Sequence, residues 1–143
     1  MSILEFQHVS KAYHNTTRAL DDLSFSVNEG EFVSIIGPSG AGKSTILRCI
    51  NRLIDATEGK IIYDGEDIMS LRKGQLRNVR TKTGMIFQHY NLVERLSVME
   101  NVLHGRLGQK STFSGMIGHY TESEKEKAFS ILSELGLADQ AYK

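Results

Sequence analysis

Gly37-Pro38-Ser39-Gly40-Ala41-Gly42-Lys43-Ser44-Thr45 is the most informative segment of the chain, because it matches the pattern G-x-x-x-x-G-K-[ST] at every fixed position. The three glycines let the backbone turn tightly and bring its N–H groups close to phosphate oxygens. The ammonium of Lys43 can reach β- and γ-phosphates, and the hydroxyl of Ser44 can ligate Mg²⁺. The stretch therefore predicts a loop that holds the phosphates of a nucleotide.

The elements on either side of this loop are the ones that the pattern requires. Phe32 to Ile36 is nearly continuous in apolar β-formers, which is typical of a strand covered on both faces. Lys43 to Leu53 repeats its apolar residues at helical spacing, and a helix starting there directs the positive end of its dipole at the phosphates. The alternative is a chance match on an ordinary strand, glycine turn and helix, and this context disfavours it.

Further elements follow from alternation, turn residues and capping patterns. Ser97 and Thr121 each precede a glutamate by three residues, so two capping boxes predict helices at about 98–105 and 122–135, the second ended by Gly136. Asp64-Gly65 predicts a hairpin turn, and residues 14–17 a polar turn. Strands are predicted at Ile3–Val9, Leu20–Val27, Gly59–Tyr63 and Gly84–Phe87, and a polar helix at Leu71–Arg80.

The bulk composition argues against several classes of protein. Seventeen Lys and Arg residues balance 17 Asp and Glu residues, whereas a nucleic-acid-binding protein usually has a basic excess. No signal-like leader opens the chain, and no apolar run approaches the ~18 residues of a membrane span. Cys49 is the only cysteine and is expected on a buried helix face, so no intrachain disulfide can form. These features predict a cytoplasmic protein.

Two sets of polar residues are expected to lie mostly at the surface. The histidines show no paired ligand spacing, so metal binding is not expected of His8, His14, His89, His104 and His119. A basic stretch around the predicted polar helix is interpreted as a solvated face, and it comprises Arg72, Lys73, Arg77, Arg80 and Lys82.

The loop from Gly37 to Thr45 resembles the Walker A loop of ATP-binding-cassette (ABC) proteins, and three other segments agree with that family. Ser10-Lys11-Ala12-Tyr13 places Tyr13 where the family has an aromatic residue that stacks on adenine. Glu58 to Gly65 resembles the strand and Asp-Gly turn that follow the Walker helix. Met85-Ile86-Phe87-Gln88 resembles the Q-loop, whose glutamine closes on Mg²⁺ and the attacking water and touches the membrane partner.

This resemblance implies an α/β fold, namely a P-loop NTPase whose RecA-like core is incomplete here. It also implies an antiparallel β subdomain and the start of a helical subdomain. The expected divisions are an antiparallel β region with the Walker A strand at 1–36, the Walker A loop and helix at 37–53, the hairpin and the strand to the Q-loop at 59–87, and the start of the helical subdomain at 88–143.

The resemblance also implies the cofactors ATP and Mg²⁺ and a set of site residues. Lys43 and Gln88 would act in catalysis, and Ser44 and Gln88 would contact Mg²⁺. The nucleotide would be held by Tyr13, Gly37, Pro38, Ser39, Gly40, Ala41, Gly42, Lys43, Ser44 and Thr45. Without this resemblance, the alternative interpretation of Tyr13 is an ordinary aromatic residue beside a turn, and that of Gln88 is a polar residue at a strand end.

Three further segments, Phe87–Leu96, Asn101–Gly108 and Gly136–Lys143, are similar to the ATPase subunit of phosphonate importers. This similarity implies an ATPase that energises the uptake of phosphonates or related phosphorus compounds. The implied partners are transmembrane permease subunits, a second ATPase subunit in a homodimer and, indirectly, a substrate-binding protein, with no nucleic acid. The implied location is the inner face of the cell membrane, reached through the permease subunits.

Two segments that the family uses for hydrolysis do not occur in the 143 residues. These are a Leu-Ser-Gly-Gly-Gln signature, which Phe113-Ser114-Gly115-Met116 does not match, and a Walker B strand ending in Asp and Glu. The chain is therefore expected to be a truncated ABC ATPase that binds nucleotide at most, with a buried strand edge left unpaired. The alternatives are a non-catalytic P-loop nucleotide-binding module and the ATPase of an importer for another substrate. A GTPase or small-molecule kinase is disfavoured because no guanine-selecting Asn-Lys-x-Asp stretch is present.

Overall fold

The structure, a computed structural model, describes residues 1–13, 17–89, 91–109 and 120–143. It divides into two compact units, Met1–Thr83 and Gly84–Lys143. Most of the predicted polar turn at 14–17, the histidines at 14 and 119, and the rejected signature candidate at 113–116 lie outside the described residues.

The first unit is built on a four-stranded antiparallel sheet with the strand order β2-β1-β3-β4. The strands are β1 (Ser2–Tyr13), β2 (Thr17–Asn28), β3 (Glu58–Tyr63) and β4 (Glu66–Asp67). Asp64 and Gly65 form the predicted hairpin turn, both with positive φ. The first two strands run beyond their predicted limits, because bulges at His8 (φ 51°) and Asp22 (φ 48°) let pairing resume after each interruption.

Helix α1 (Lys43–Ile50) begins where predicted but ends three residues before Leu53. Arg52 adopts a left-handed conformation (φ 47°) and its N–H donates to Cys49 O at 2.9 Å. The next N–H, that of Leu53, donates to Arg48 O at 2.8 Å. This pair of bonds is a Schellman motif, which closes a helix whatever apolar residues follow.

Helix α2 (Lys73–Lys82) lies two residues beyond its predicted position and carries two basic side chains with defined partners. Arg80 donates from Nε to Asn51 O at 3.0 Å and from Nη2 to Arg52 O at 2.7 Å. Lys82 Nζ donates to Asp64 Oδ2 at 2.7 Å, and this bond raises the pKa of the lysine. Arg80 and Lys82 are both exposed, as the prediction of a solvated basic face requires. Their bonds were not foreseen, since a pattern of charges does not show which acceptors lie nearby.

The core of the first unit lies between the sheet and α1. Its most buried side chains come from both, and the rings of Phe6 and Phe25 stack at 4.6 Å. Cys49 is fully buried, as predicted, and burial raises the pKa of its thiol. The other core residues are Leu4, Val9, Leu20, Ile46, Ile61, Ile68 and Val79.

The predictions of strands at Phe32–Ile36 and Gly84–Phe87 were wrong for the described structure. Residues 31–38 and 83–87 carry no regular secondary structure. The side chains of Phe32 and Ile36 are 94% and 91% exposed, and that of Ile86 is 99% exposed. A strand needs a neighbouring strand to satisfy its backbone N–H and C=O groups, and no described residue pairs with either segment.

The second unit contains α3 (Val98–His104), α4 (Glu122–Glu134) and two short 3-10 helices, Leu107–Gln109 and Ala138–Gln140. Both predicted capping boxes are confirmed, and the bonds to Ser97 lower the pKa of Glu100. Gly136, with φ 71°, follows the end of α4 as predicted. The core residues of this unit are Met99, Leu103, Ala128, Leu132 and Ala141. Within the described ranges, no helix has both the length and the apolar character of a membrane span.

Candidate functional site

The loop from Gly37 to Thr45 is anchored at its C-terminal end against strand β2. Gly42 has φ 84°, and a Cβ atom built there would lie 2.3 Å from Ala19 O and 3.1 Å from Leu20 Cδ2. Only glycine allows both this conformation and this close approach. The glycine that precedes the lysine in the motif therefore fixes the start of α1 against the sheet.

The middle of the loop is an exposed turn with room on its open side. Gly40 also has a left-handed conformation, with φ 83°, but a Cβ atom there would meet nothing within 4 Å. Ala41 N–H donates to Pro38 O at 3.3 Å and closes the turn. Residues 37–41 are exposed, so this side of the loop is open to a ligand.

The side chain of Lys43 folds back over the loop. Its Nζ donates to Gly37 O and to Pro38 O, both at 2.7 Å. An ammonium group has three donors, so one remains for a phosphate oxygen while the other two hold the loop. This geometry places a positive charge at the mouth of the turn without any acidic side chain beside it in the first turn of α1.

The N-terminus of α1 supplies further donors at the same place. Gly42 is the N-cap and has no side chain that could accept from the helix, and the first-turn N–H groups of a helix have no partner within it. These N–H groups and the helix dipole favour an anion at this position. The loop, Lys43 and the start of α1 thus fit the phosphates of a nucleotide.

For Mg²⁺, the described residues offer a hydroxyl but no carboxylate cluster. Ser44 is exposed beside Lys43, whereas no group of three or more His, Cys, Asp or Glu side chains is arranged for a metal ion in the described ranges. Proteins usually hold Mg²⁺ with one or two carboxylates together with substrate phosphates. Ser44 therefore fits as one ligand of an ion that arrives with a nucleotide. Gln88 belongs to the second unit, and Lys43 and Ser44 to the first.

Tyr13 lies at the end of β1, where it pairs with Thr17 of β2. Two residues further along β2, or about 7 Å at the usual rise of a strand, Ala19 meets the phosphate loop at Gly42. Tyr13 is 36% exposed, and Lys11 Nζ lies over its ring at 5.3 Å from the centroid. This contact of Lys11 was not predicted, although its spacing of two residues from Tyr13 on a strand is the signal that could have found it.

The model of the ABC transporter family matches residues 20–143. The chain is 55% identical over 143 residues to a phosphonates import ATP-binding protein of Oceanobacillus iheyensis, covering 100% of the chain and 56% of that protein. It is 54% identical over 140 residues to a phosphonates import ATP-binding protein of Treponema denticola, covering 98% of the chain and 55% of that protein. The chain thus spans about half the length of the curated relatives it matches.

Solved structures agree with this match. A nucleotide-free ATP-binding cassette from an ABC transporter has a TM-score of 0.78 and 30% identity, covering 100% of the chain and 57% of that structure. A dimeric bacterial ABC transporter cassette has a TM-score of 0.81 and 30% identity, covering 97% and 60%. The fold expected from the sequence, a partial P-loop NTPase with an antiparallel sheet, is confirmed. With its phosphate loop, its sheet and the family match over residues 20–143, the chain belongs to the ABC transporter family.

Proposed function

We propose that the chain binds ATP with Mg²⁺ and forms the nucleotide-holding portion of an ATPase that drives an importer. The observation that carries this proposal is the phosphate loop itself. Lys43 stands at its mouth with one donor in reserve, and uncapped helix N–H groups converge there. A bound ATP would place its β- and γ-phosphates against these groups.

In hydrolysis, Lys43 and the loop N–H groups would stabilise the charge on the transferring phosphoryl group. Mg²⁺, when bound, neutralises charge on the β- and γ-oxygens. By its resemblance to the Q-loop glutamine, Gln88 would orient the attacking water and contact the ion. Residues 1–143 hold no Walker B carboxylates and no signature, so we expect this polypeptide to bind nucleotide without hydrolysing it.

We propose phosphonates or related phosphorus compounds as the transported substrates. The support is that the relatives at 55% and 54% identity are phosphonates import ATP-binding proteins. Three segments from Phe87 onward also resemble that subunit. The cargo does not contact the loop of an energising subunit, so the nucleotide site does not discriminate among importers. An importer for another substrate is the second candidate, and growth of a deletion strain on a phosphonate as the sole phosphorus source distinguishes the two.

The proposed partners are permease subunits, a second copy of the ATPase and, through the permease, a substrate-binding protein. In the second unit, an apolar concavity of about 440 Å³ follows Gln88 along the chain and could receive a permease segment, which would hold the protein at the inner face of the membrane. It is lined by Leu92, Val93, Glu94, Leu96, Val98, Asn101 and Val102. A second copy is supported by the dimeric cassette structure and by the open side of the phosphate loop, which a head-to-tail partner would cover. No nucleic-acid partner is proposed.

Lys43→Ala tests the phosphate site by titration with ATP. Removing the ammonium should weaken binding by about 1.5–3 kcal/mol, the range for hydrogen bonds to charged groups. Lys60→Ala is the matched control, because Lys60 is an exposed lysine on β3 and should leave the affinity unchanged. Equal affinities for the wild type and Lys43→Ala would contradict the proposed site.

A non-catalytic nucleotide-binding module is the remaining alternative. The two candidates are distinguished by an ATPase assay on a longer cassette that contains these residues together with the signature and Walker B segments. An ATPase subunit then hydrolyses ATP with its permease partners, at a rate that Gln88→Ala lowers. A binding module shows Lys43-dependent affinity and no turnover in that setting.

A further inference from the structure

Lys11 and Tyr13 lie two residues apart on β1, so their side chains project from the same face of the strand. Lys11 Nζ lies 5.3 Å from the centre of the Tyr13 ring. This distance is within the range of a cation–π contact, in which the negative face of the ring attracts a cation. One face of the Tyr13 ring is therefore covered by a positive charge.

The position of Lys11 relative to the phosphate loop follows from the strand register. Lys11 pairs with Leu20 of β2, and directly paired residues lie on the same face of a sheet. A Cβ atom added at Gly42 would lie 3.1 Å from Leu20 Cδ2, so this face of the hairpin is the one that meets the loop. Burial raises the pKa of the Cys49 thiol in α1 and the charge of Lys11 opposes that rise, which agrees with this placement.

We propose that Lys11 is a positioning residue for base recognition: its ammonium covers one face of the Tyr13 ring and holds it so that the other face stacks on the nucleotide base. The inference rests on the proposed function, because it needs a nucleotide in the phosphate loop. Lys11 acts through Tyr13 and not by direct contact with phosphate. In this arrangement the base, the ring and the ammonium form three successive layers.

A fixed ring is an advantage for stacking because Tyr13 is the last residue of β1. A side chain at the end of a strand has fewer neighbours to set its rotamer. Ordering it only when the base arrives would cost conformational entropy at the moment of binding. A cation already seated on the ring reduces that cost before the nucleotide enters.

The test compares ATP with inorganic tripolyphosphate, which carries the phosphates without a base, as ligands of the full chain. We expect Lys11→Ala to weaken ATP binding by roughly two- to fivefold, the range of an exposed cation–π contact, and to leave tripolyphosphate binding unchanged. Lys11→Arg should restore ATP affinity, since a guanidinium also stacks on an aromatic face. In a Tyr13→Ala background, Lys11→Ala should have no further effect on ATP.

Unchanged tripolyphosphate binding also shows that each variant is folded around an intact loop. An equal loss for both ligands would assign Lys11 to the phosphates and overturn the inference. Tighter ATP binding by Lys11→Ala would place the ammonium on the face that the base needs, with the same consequence. Normal ATP binding by Tyr13→Ala would contradict both base stacking and this inference. The phosphate site is tested independently by Lys43→Ala.

Discussion

At the scale of single residues, Gly42 is subject to two constraints, a left-handed backbone and a close contact with β2, whereas Gly40 is subject only to the first. Both have left-handed backbones, but an added Cβ atom meets Ala19 O at 2.3 Å at Gly42 and nothing within 4 Å at Gly40. Gly40→Ala should therefore cost about 1 kcal/mol of unfolding free energy, and Gly42→Ala at least about 2, with a larger loss of ATP affinity. Gly84→Ala is the control without either constraint. Denaturant unfolding and nucleotide titration measure these effects, and equal losses at the two loop positions would contradict the contact with β2.

At the scale of elements, two isoleucines that were both predicted to lie in strands differ in the structure. Ile61 of β3 is fully buried, whereas Ile36 is 91% exposed in a segment without strand pairing. In the chain of 143 residues, Ile61→Ala should lower the unfolding free energy by about 2–5 kcal/mol. Ile36→Ala should change it by less than about 0.5 kcal/mol, as is usual for a surface position. A comparable loss for both variants would show that residues 32–36 pair after all.

At the scale of the whole molecule, we expect nucleotide binding without ATP hydrolysis. Hydrolysis needs a positioned water and a fully held Mg²⁺ as well as a phosphate loop, and the groups that supply them act as one unit. Residues 1–143 contain no Walker B carboxylates and no signature. We therefore expect this polypeptide to release phosphate from saturating Mg-ATP no faster than its own Lys43→Ala variant at matched concentration. Turnover that depends on Lys43 would mean that other residues supply the missing groups.

Most structures that a few neighbouring residues complete were predicted correctly. The capping boxes at Ser97 and Thr121 satisfy helix N–H groups within three residues, and the Asp64-Gly65 turn needs only two left-handed residues between β3 and β4. The glycine turn before Lys43 and the start of α1 at Lys43 belong with these, because they follow one another along the chain. The family was recognisable for the same reason.

Structures that depend on residues distant in the sequence were predicted less accurately. Phe32–Ile36 has the composition of a buried strand, but composition does not provide the neighbouring strand whose backbone groups must pair with it. The end of α1 is a local feature that was missed for a different reason, because the Schellman motif at Arg52 uses a left-handed residue other than glycine. The bonds of Arg80 to Asn51 and Arg52 join residues that are 28 and 29 positions apart.

The family could be recognised from the sequence, and so could the glycine turn that leads into α1, because both depend on one contiguous motif. Three features appeared only in the folded chain: the fit of Gly42 against Ala19 O, the position of Lys11 over the ring of Tyr13 and the exposure of residues 32–36. The physical reason is the range of the interactions. Helix caps and tight turns are completed within a few residues, whereas strand pairing and the contact of the loop with β2 depend on residues brought together by folding.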